Sequence, residues 1–171
     1  MAIFVKLWEK MVNMFKGIHS INLDGKGRLT IPTKYRNTIM DQSNGSMVVT
    51  MDTEEKCLLL YPSNTWSSIE KKINDLPSFS KNHRRIQRIL VGHAEDLDID
   101  SAGRILLSKP LRLATEMTKK ITLIGQGQKF EIWSEEIWNS KVNNWRAEET
   151  DESEQSVSVS YTHLTLPTKQ D

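Results

Sequence analysis

The sequence predicts an α+β fold, mainly β, in which one small unit occurs twice along the chain. The first observation is an internal repeat. LDGKGRLTIPTKYR at 23–36 returns as IDSAGRILLSKPLR at 99–112, an offset of 76 residues, and such self-similarity is typical of a duplicated unit. The second observation is that the apolar segments between glycines and prolines are short, as expected for strands joined by tight turns.

A second pairing extends the repeat. CLLLYPSNTW at 57–66 aligns with KFEIWSEEIW at 129–138, at an offset of 72 residues. The four-residue difference between the two offsets falls in the intervening loops, where insertions are tolerated best. Each copy is therefore predicted to contain the same order of elements.

In the first copy, the turn Asp-Gly-Lys-Gly separates a strand at about 18–23 from a strand at about 28–31. The glycines of this turn supply the positive φ that hairpin turns require. Pro32 suits the first position of a short helix because its φ is fixed. Two further strands at about 46–51 and 57–61 and a helix near Trp66 complete the copy.

The second copy repeats this order. The turn Asp-Ser-Ala-Gly follows a strand, and Pro110 begins the short helix. The remaining predicted elements are strands at about 104–107, 121–125 and 129–133 and a helix from about 134.

The predicted organisation has five parts. They are an N-terminal extension at 1–13, a first copy at 14–83, a connecting helix at 84–96, a second copy at 97–145 and a disordered or non-native tail at 146–171. The extension is either an upstream start or a real amphipathic segment. The arginines of the connecting helix, Arg84, Arg85 and Arg88, form either a solvated face or part of a surface for phosphates.

Composition limits the classes of function. The net charge of +1 includes 19 Lys and Arg against 15 Asp and Glu in residues 14–145, so this region is only mildly basic and charge alone does not establish nucleic-acid binding. The single cysteine, Cys57, excludes an intramolecular disulfide. His83 and His93 lack i, i+4 spacing for a metal, and no catalytic triad or glycine-rich phosphate loop is visible. We expect no metal, no cofactor and no enzyme.

The membrane class is also disfavoured. No apolar run approaches the roughly 18 residues that a membrane span requires. We therefore expect a soluble protein of the bacterial cytoplasm that does not bind membranes.

The repeated segments closely resemble the MraZ family of bacterial transcriptional regulators, whose genes usually open the division and cell-wall cluster. The resemblance covers residues 14–145. It is carried by MFKG at 14–17, INLDGKGRLTIPTKYR at 21–36, RRIQRILVGHAEDLDID at 84–100, AGRILLSKPLR at 102–112 and KFEIWSEEIW at 129–138. It implies two tandem AbrB-like swapped-hairpin half-domains that form a small β-barrel with short helices and assemble into a ring-shaped homo-oligomer.

The resemblance also implies a function. MraZ proteins bind direct repeats of double-stranded DNA in their own promoter, usually as repressors, which places them at the nucleoid. The arginine of their Asp-x-x-x-Arg loop faces DNA, a role that carries over to Arg28 and Arg104. Lys26 and Arg36 lie beside the first motif and are expected to contact phosphate. The residues that support the two motifs are Asp24, Gly27, Asp100 and Gly103.

Alternatives stay open at this stage. Asp24 could pair with Arg28, and Asp100 with Arg104, simply to fix hairpin geometry. Two other functions keep the same fold: an antitoxin-like AbrB relative that binds DNA and a toxin, and a scaffold ring that acts through protein contacts. An enzyme has little support, because Cys57 heads an apolar strand where a thiol is usually inert.

Overall fold

The computed structural model describes residues 1–12 and 14–164, without the side chains of 9–12 and 150–164. The chain divides into two compact units, Met1–Glu135 and Glu136–Asp171. The N-terminal extension contains α1 (Ala2–Val12). The first copy supplies β1 (Phe15–Asn22), β2 (Arg28–Thr30), α2 (Thr33–Ser43), β3 (Ser46–Met51), β4 (Leu58–Pro62) and α3 (Ser63–Asn74). Then follow α4 (Lys81–Ile86), a π-helical turn (Gln87–Val91), β5 (Glu95–Asp98), β6 (Arg104–Leu106), α5 (Lys109–Ala114), β7 (Lys120–Gly127), β8 (Phe130–Ser134) and α6 (Glu135–Leu164).

Local signals set the ends of α2. Pro32 precedes the helix with φ −53° and ψ 138°, an extended conformation from which a helix can begin. The helix ends at Ser43. Asn44, which caps it, has φ 54° and donates its backbone N–H to the carbonyl of Met40. Gly45 follows with φ 82°. Asparagine and glycine tolerate the left-handed region, so the chain turns here into β3.

The strands of the two copies are exchanged. One antiparallel sheet has six strands in the order β1-β7-β8-β4-β3-β5, and a second sheet contains β2 and β6. Thus β1 of the first copy pairs with β7 of the second, and β5 of the second copy pairs with β3 of the first. Each copy completes the sheet of the other, which confirms the predicted α+β fold of two interlaced halves.

The core lies where the exchanged strands meet the short helices. Its central members come from both copies, and fully buried side chains include Leu29, Ile31, Ile39, Leu60, Ile105, Leu107, Leu123, Phe130 and Ile132. Phe15 of β1 packs on Phe130 of β8 with ring centroids 4.2 Å apart. Because each contact of this kind joins the two copies, neither copy has a complete core by itself.

The expected closed barrel is not formed. Strands β1 and β5 lie at opposite edges of the six-stranded sheet, and each pairs on one side only among the described strands. The chain leaves both edge strands within a few residues and enters β2 or β6, which pair with each other in a separate sheet. The six-stranded sheet therefore stays open.

The connecting segment differs from the predicted single helix at 84–96. Ser80 caps the start of α4, where its Oγ accepts the backbone N–H of His83. The helix widens into the π-helical turn, at whose end Thr50 donates its hydroxyl to the carbonyl of Leu90. Residues 95–96 belong to β5 because they pair with β3. Tertiary strand pairing thus ends the helix before Glu95.

The two ends of the chain are helical where they are described. In α1, Ile3, Phe4, Leu7 and Trp8 are all exposed. The structure continues α6 to Leu164, where the sequence predicts a disordered or non-native tail. Residues 146–164 contain no glycine or proline to interrupt a helix, and residues 165–171 lie outside the described residues. None of the described helices is long and apolar enough to cross a membrane.

Candidate nucleic-acid interface

The first loop is organised around the carboxylate of Asp24. Its Oδ1 accepts the backbone N–H groups of Lys26 and Arg28, both at 2.9 Å. Its Oδ2 accepts Arg28 Nε at 2.7 Å. An aspartate side chain that bonds backbone groups two residues ahead is a common way to fix a tight turn. Here the same carboxylate also fixes the direction of the arginine.

The second loop repeats this geometry. Asp100 Oδ1 accepts the backbone N–H of Ala102 at 2.9 Å and that of Arg104 at 2.8 Å. Asp100 Oδ2 accepts Arg104 Nε at 2.9 Å. The agreement between the two loops shows that the Asp-x-x-x-Arg pattern specifies the loop conformation in each copy.

The glycine before each arginine is required by the backbone. Gly27 has φ 88° and Gly103 has φ 79°, values in the left-handed region where a side chain is strained. Each glycine donates its N–H to the carbonyl of the loop aspartate, at 3.0 Å to Asp24 and 2.9 Å to Asp100. The supporting residues of both motifs therefore have a structural role.

The hydrogen bonds keep the loop carboxylates charged. The backbone N–H of Arg28 contributes most to a pKa of about 2 for Asp24, with smaller contributions from the Arg28 side chain and the Lys26 backbone. The pKa of Asp100 is lowered in the same way, first by the backbone N–H of Arg104. At neutral pH, each loop therefore contains a carboxylate paired with a guanidinium.

The paired arginines are not buried. The side chain of Arg28 is 30% exposed and that of Arg104 is 38% exposed. The ion pair uses Nε, and a guanidinium carries four further N–H donors on its two terminal nitrogens. A planar guanidinium that is fixed in one direction and accessible to solvent can donate hydrogen bonds to guanine or to phosphate oxygens.

The surroundings of the two loops differ in charge. Lys26 at the tip of the first loop is exposed, and its counterpart in the second loop is Ala102. On the strands before the loops, Ser20 and Asn22 of β1 correspond to Asp96 and Asp98 of β5, and all four are exposed. The second loop is therefore closer to negative charge than the first. The repeat alignment contains this difference, because the strand residues align at the same offset as the loops.

Arg36 lies beside the loop of the other copy. A Cβ placed on Gly103 would lie 2.9 Å from Arg36 Cδ and closer still to its Nε and Cζ. In the same way, a Cβ on Gly27 would lie 2.6 Å from Arg112 Nε. Arg36, which follows the first motif in sequence, therefore lies against the glycine of the second loop. The exchange of strands between the copies is the physical reason.

The family model described as "MraZ protein, putative antitoxin-like" matches residues 14–89 and again residues 90–158, once for each copy. The chain belongs to the MraZ family. Residues 1–13 precede both matches.

Three relatives are each named transcriptional regulator MraZ. The protein of Legionella pneumophila (strain Corby) is 50% identical over 136 residues, which is 80% of this chain and 90% of the relative. That of Marinomonas sp. (strain MWYL1) is 44% identical over 146 residues, 85% of this chain and 97% of the relative. That of Pasteurella multocida (strain Pm70) is 48% identical over 129 residues, 75% of this chain and 85% of the relative.

Outside the two loops, the reactive groups in the part of this MraZ-family chain that the structure describes include the thiol of Cys57. Cys57 is fully buried, and burial raises the pKa of its thiol far above the usual range, so the thiolate needed for nucleophilic chemistry is disfavoured. Among the described side chains, no group of three His, Cys, Asp or Glu residues is placed to hold a metal ion.

One residue of the loop environment was missed by the sequence reasoning. Arg112 aligns with Arg36 in the repeat, but only Arg36 is among the residues that the sequence predicts to contact DNA. The repeat itself was the signal that both arginines should be treated together. Their shared contact with a loop glycine makes them equivalent in the structure.

Proposed function

We propose that this protein is a sequence-specific DNA-binding transcriptional regulator that presents its Asp-x-x-x-Arg loops to double-stranded DNA. The observation that carries the proposal is the orientation of Arg28. Asp24 holds its Nε at 2.7 Å while the side chain stays 30% exposed. Lys26 at the same loop tip adds an exposed positive charge. The name transcriptional regulator in the relatives supports the same reading.

The family resemblance extends the proposal to a target. We expect the protein to bind direct repeats in its own promoter, upstream of the division and cell-wall cluster, and to repress it at the nucleoid. In this role Arg28 and Arg104 would contact bases or phosphates. Lys26 would contact phosphate only, because an ammonium is a point charge without the fork of arginine.

The number of phosphate contacts needed for binding favours an assembly of several chains. Useful affinity at physiological salt typically rests on about 6–10 phosphate contacts, whereas one chain offers two short loops of unequal charge. Several chains in a ring would place Arg28 loops along successive repeats and add their contacts through avidity. The proposal therefore includes a homo-oligomer in which repeat spacing matches the spacing of neighbouring chains.

The test is a footprint of the full chain on DNA upstream of its own gene. We expect protection of regularly spaced repeats, lost with Arg28→Ala. Lys56→Ala is the control, because it removes an exposed cation that pairs with Glu116 at 3.2 Å outside the loops. Uniform protection, or equal loss with both variants, would contradict a specific role for the Asp-x-x-x-Arg loop.

A second candidate is favoured by the family description, which includes the words antitoxin-like. An antitoxin would bind DNA with the same loops and also hold a toxin protein. Mass measurement on the complex isolated from its own cells distinguishes the two functions. A stoichiometric second protein would favour the antitoxin, and the homo-oligomer alone would favour the regulator. If the oligomer forms but binds no DNA, a scaffold ring is favoured instead.

A further inference from the structure

Two arginines are placed reciprocally between the copies. Arg112 of α5 lies against Gly27 in the first loop, and Arg36 of α2 lies against Gly103 in the second loop. The two arginines are counterparts in the repeat, as are the two glycines. The same contact is therefore made twice, each time between one copy and the loop of the other.

Each arginine is anchored within its own copy. Arg112 Nε donates to the carbonyl of Leu107 at 3.1 Å, and Arg36 Nε donates to the carbonyl of Ile31 at 2.9 Å. Both arginines are partly buried, and Leu107 and Ile31 are fully buried. The guanidinium that contacts the loop is thus held by the core and does not move freely with the loop.

The anchoring residues also bond the loops directly. The backbone N–H of Leu107 donates to the carbonyl of Gly27 at 3.0 Å, and that of Ile31 donates to the carbonyl of Gly103 at 2.8 Å. Leu107 and Ile31 therefore each accept the arginine of their own copy at the backbone carbonyl, and each bonds the loop of the other copy through the backbone N–H. This links arginine, strand end and loop glycine in one chain of contacts.

We propose that Arg112 is the positioning residue of the first Asp-x-x-x-Arg loop and Arg36 that of the second, so that each loop is set by the other copy. For its effect on DNA, this inference rests on the function proposed above. The contact acts one residue from the reading arginine, because Gly27 directly precedes Arg28. A shift of Gly27 would move the Arg28 amide away from Asp24 Oδ1, which it bonds at 2.9 Å.

The absence of a glycine side chain makes this contact possible. A Cβ on Gly27 would lie 2.6 Å from Arg112 Nε and 2.7 Å from its Cζ, well inside ordinary contact distance. The planar guanidinium therefore lies directly on the loop backbone. A lysine has no planar group to cover that backbone, so Arg112→Lys should not replace it.

The arginine that supports each loop is not the one nearest to that loop in the sequence. Arg36 follows Arg28 closely along the chain and would be expected to support the first loop. The exchanged strands instead assign the first loop to Arg112, which lies far away in sequence. Arg36→Gln and Arg112→Gln form a matched pair for this test, because each removes the same group from an equivalent position.

The experiment is hydrogen exchange by mass spectrometry on the full-length protein. The reporters are peptides that contain the loop amides bonded to Asp24 or to Asp100. We expect Arg112→Gln to speed exchange in the first loop only, and Arg36→Gln in the second loop only. Arg112→Lys should speed exchange in the first loop as Arg112→Gln does. Gly27→Ala changes the other partner of the same contact and should also disturb the first loop. Thermal unfolding and oligomer mass are measured in parallel to show that each variant is folded.

Titration of the same variants against operator DNA supplies the second readout. Arg112→Gln should weaken binding by about tenfold, close to the effect of Arg28→Ala, and Arg36→Gln should weaken it less. Faster exchange in the loop of the same copy, in both loops alike or in neither would overturn the positioning role. If exchange changes in the crossed pattern while even Arg28→Ala binds DNA normally, the positioning role stands and the proposed DNA role of the loop is removed.

Discussion

Leu29 and Ile105, which occupy the same place in the two copies, face each other at the centre of the β2–β6 sheet. Each is 1% exposed. A residue that pairs with its own counterpart lies on a local two-fold axis, so the two halves of this chain are related like the subunits of a symmetric dimer. The strand pairing that completes each half is supplied by the other half.

Truncation of either central side chain should therefore destabilise the whole first unit. Leu29→Ala removes a fully buried side chain and should cost about 2–5 kcal/mol in the free energy of unfolding, measured by urea denaturation. Leu113→Ala is the control, since Leu113 is 67% exposed and its loss should change little. An effect below about 0.5 kcal/mol for Leu29→Ala would contradict a shared core at this pair.

The charge of Asp24 should control the first loop at low pH. Its pKa is lowered from 3.8 to about 2 by hydrogen bonds that favour the carboxylate. The resulting stabilisation is complete above about pH 4 and is lost as the pH falls from about 4 through about 2. A carboxyl NMR titration should place the Asp24 pKa near 2. Asp24→Asn should remove this pH dependence of loop exchange, whereas a titration near 3.8 would show that the loop bonds are absent in solution.

Substitution of the loop cations should distinguish sequence-specific DNA binding from general electrostatic attraction to DNA. If Arg28 makes the proposed forked base contact, Arg28→Ala should cost about 1–3 kcal/mol per engaged site and relax sequence preference. Lys26→Ala should weaken operator and scrambled DNA alike and lower the salt slope by about 1. Arg104→Ala should have the smaller effect, since Asp96 and Asp98 lie on the adjoining strand. The measurement is a titration of operator and scrambled DNA at two salt concentrations. A larger loss with Arg104→Ala would reverse the assignment of the two loops.

The second loop should gain affinity if it is given the charges of the first. Ala102→Lys combined with Asp96→Ser and Asp98→Asn installs the residues found at the equivalent positions of the first copy. All three changes make the loop environment more positive, so binding to any DNA should strengthen and the salt slope should rise. The control for net charge removes three exposed carboxylates elsewhere on the chain, Asp41→Asn, Asp75→Asn and Glu148→Gln, and so changes the net charge by the same amount. Equal gains in the two proteins would show that only total charge matters.

The sequence was sufficient for most of the strands and for the conformation of the two loops. Strand β3 was predicted at 46–51 and lies at Ser46–Met51, because its apolar run is bounded by clear turn residues. The pairing of Asp24 with Arg28 was one of the two readings of the motif, and the structure contains it. Local spacing determines such features, so they can be read from one segment of the chain.

Contacts between residues that are far apart in the sequence could not be predicted from local spacing. The neighbour of Gly103 is Arg36 because strands are exchanged between copies, and no local pattern states which copy a hairpin will join. The π-helical turn before β5 was missed for a related reason. It is bonded to Thr50 through the carbonyl of Leu90, a contact that depends on the tertiary fold. The family resemblance, and not the spacing of residues, was what predicted the exchange.

The unequal charge of the two loops gives the chain a direction. A dimer of identical subunits has two identical DNA-binding elements related by its two-fold axis, and such proteins match palindromic sites. Here the two-fold relation is broken by Lys26 on one side and by Asp96 and Asp98 on the other. Turning the chain end over end therefore exchanges the more basic loop for the less basic one. A row of such chains in one orientation would match sites that point the same way along the DNA, which is the polarity of the direct repeats proposed as its operator.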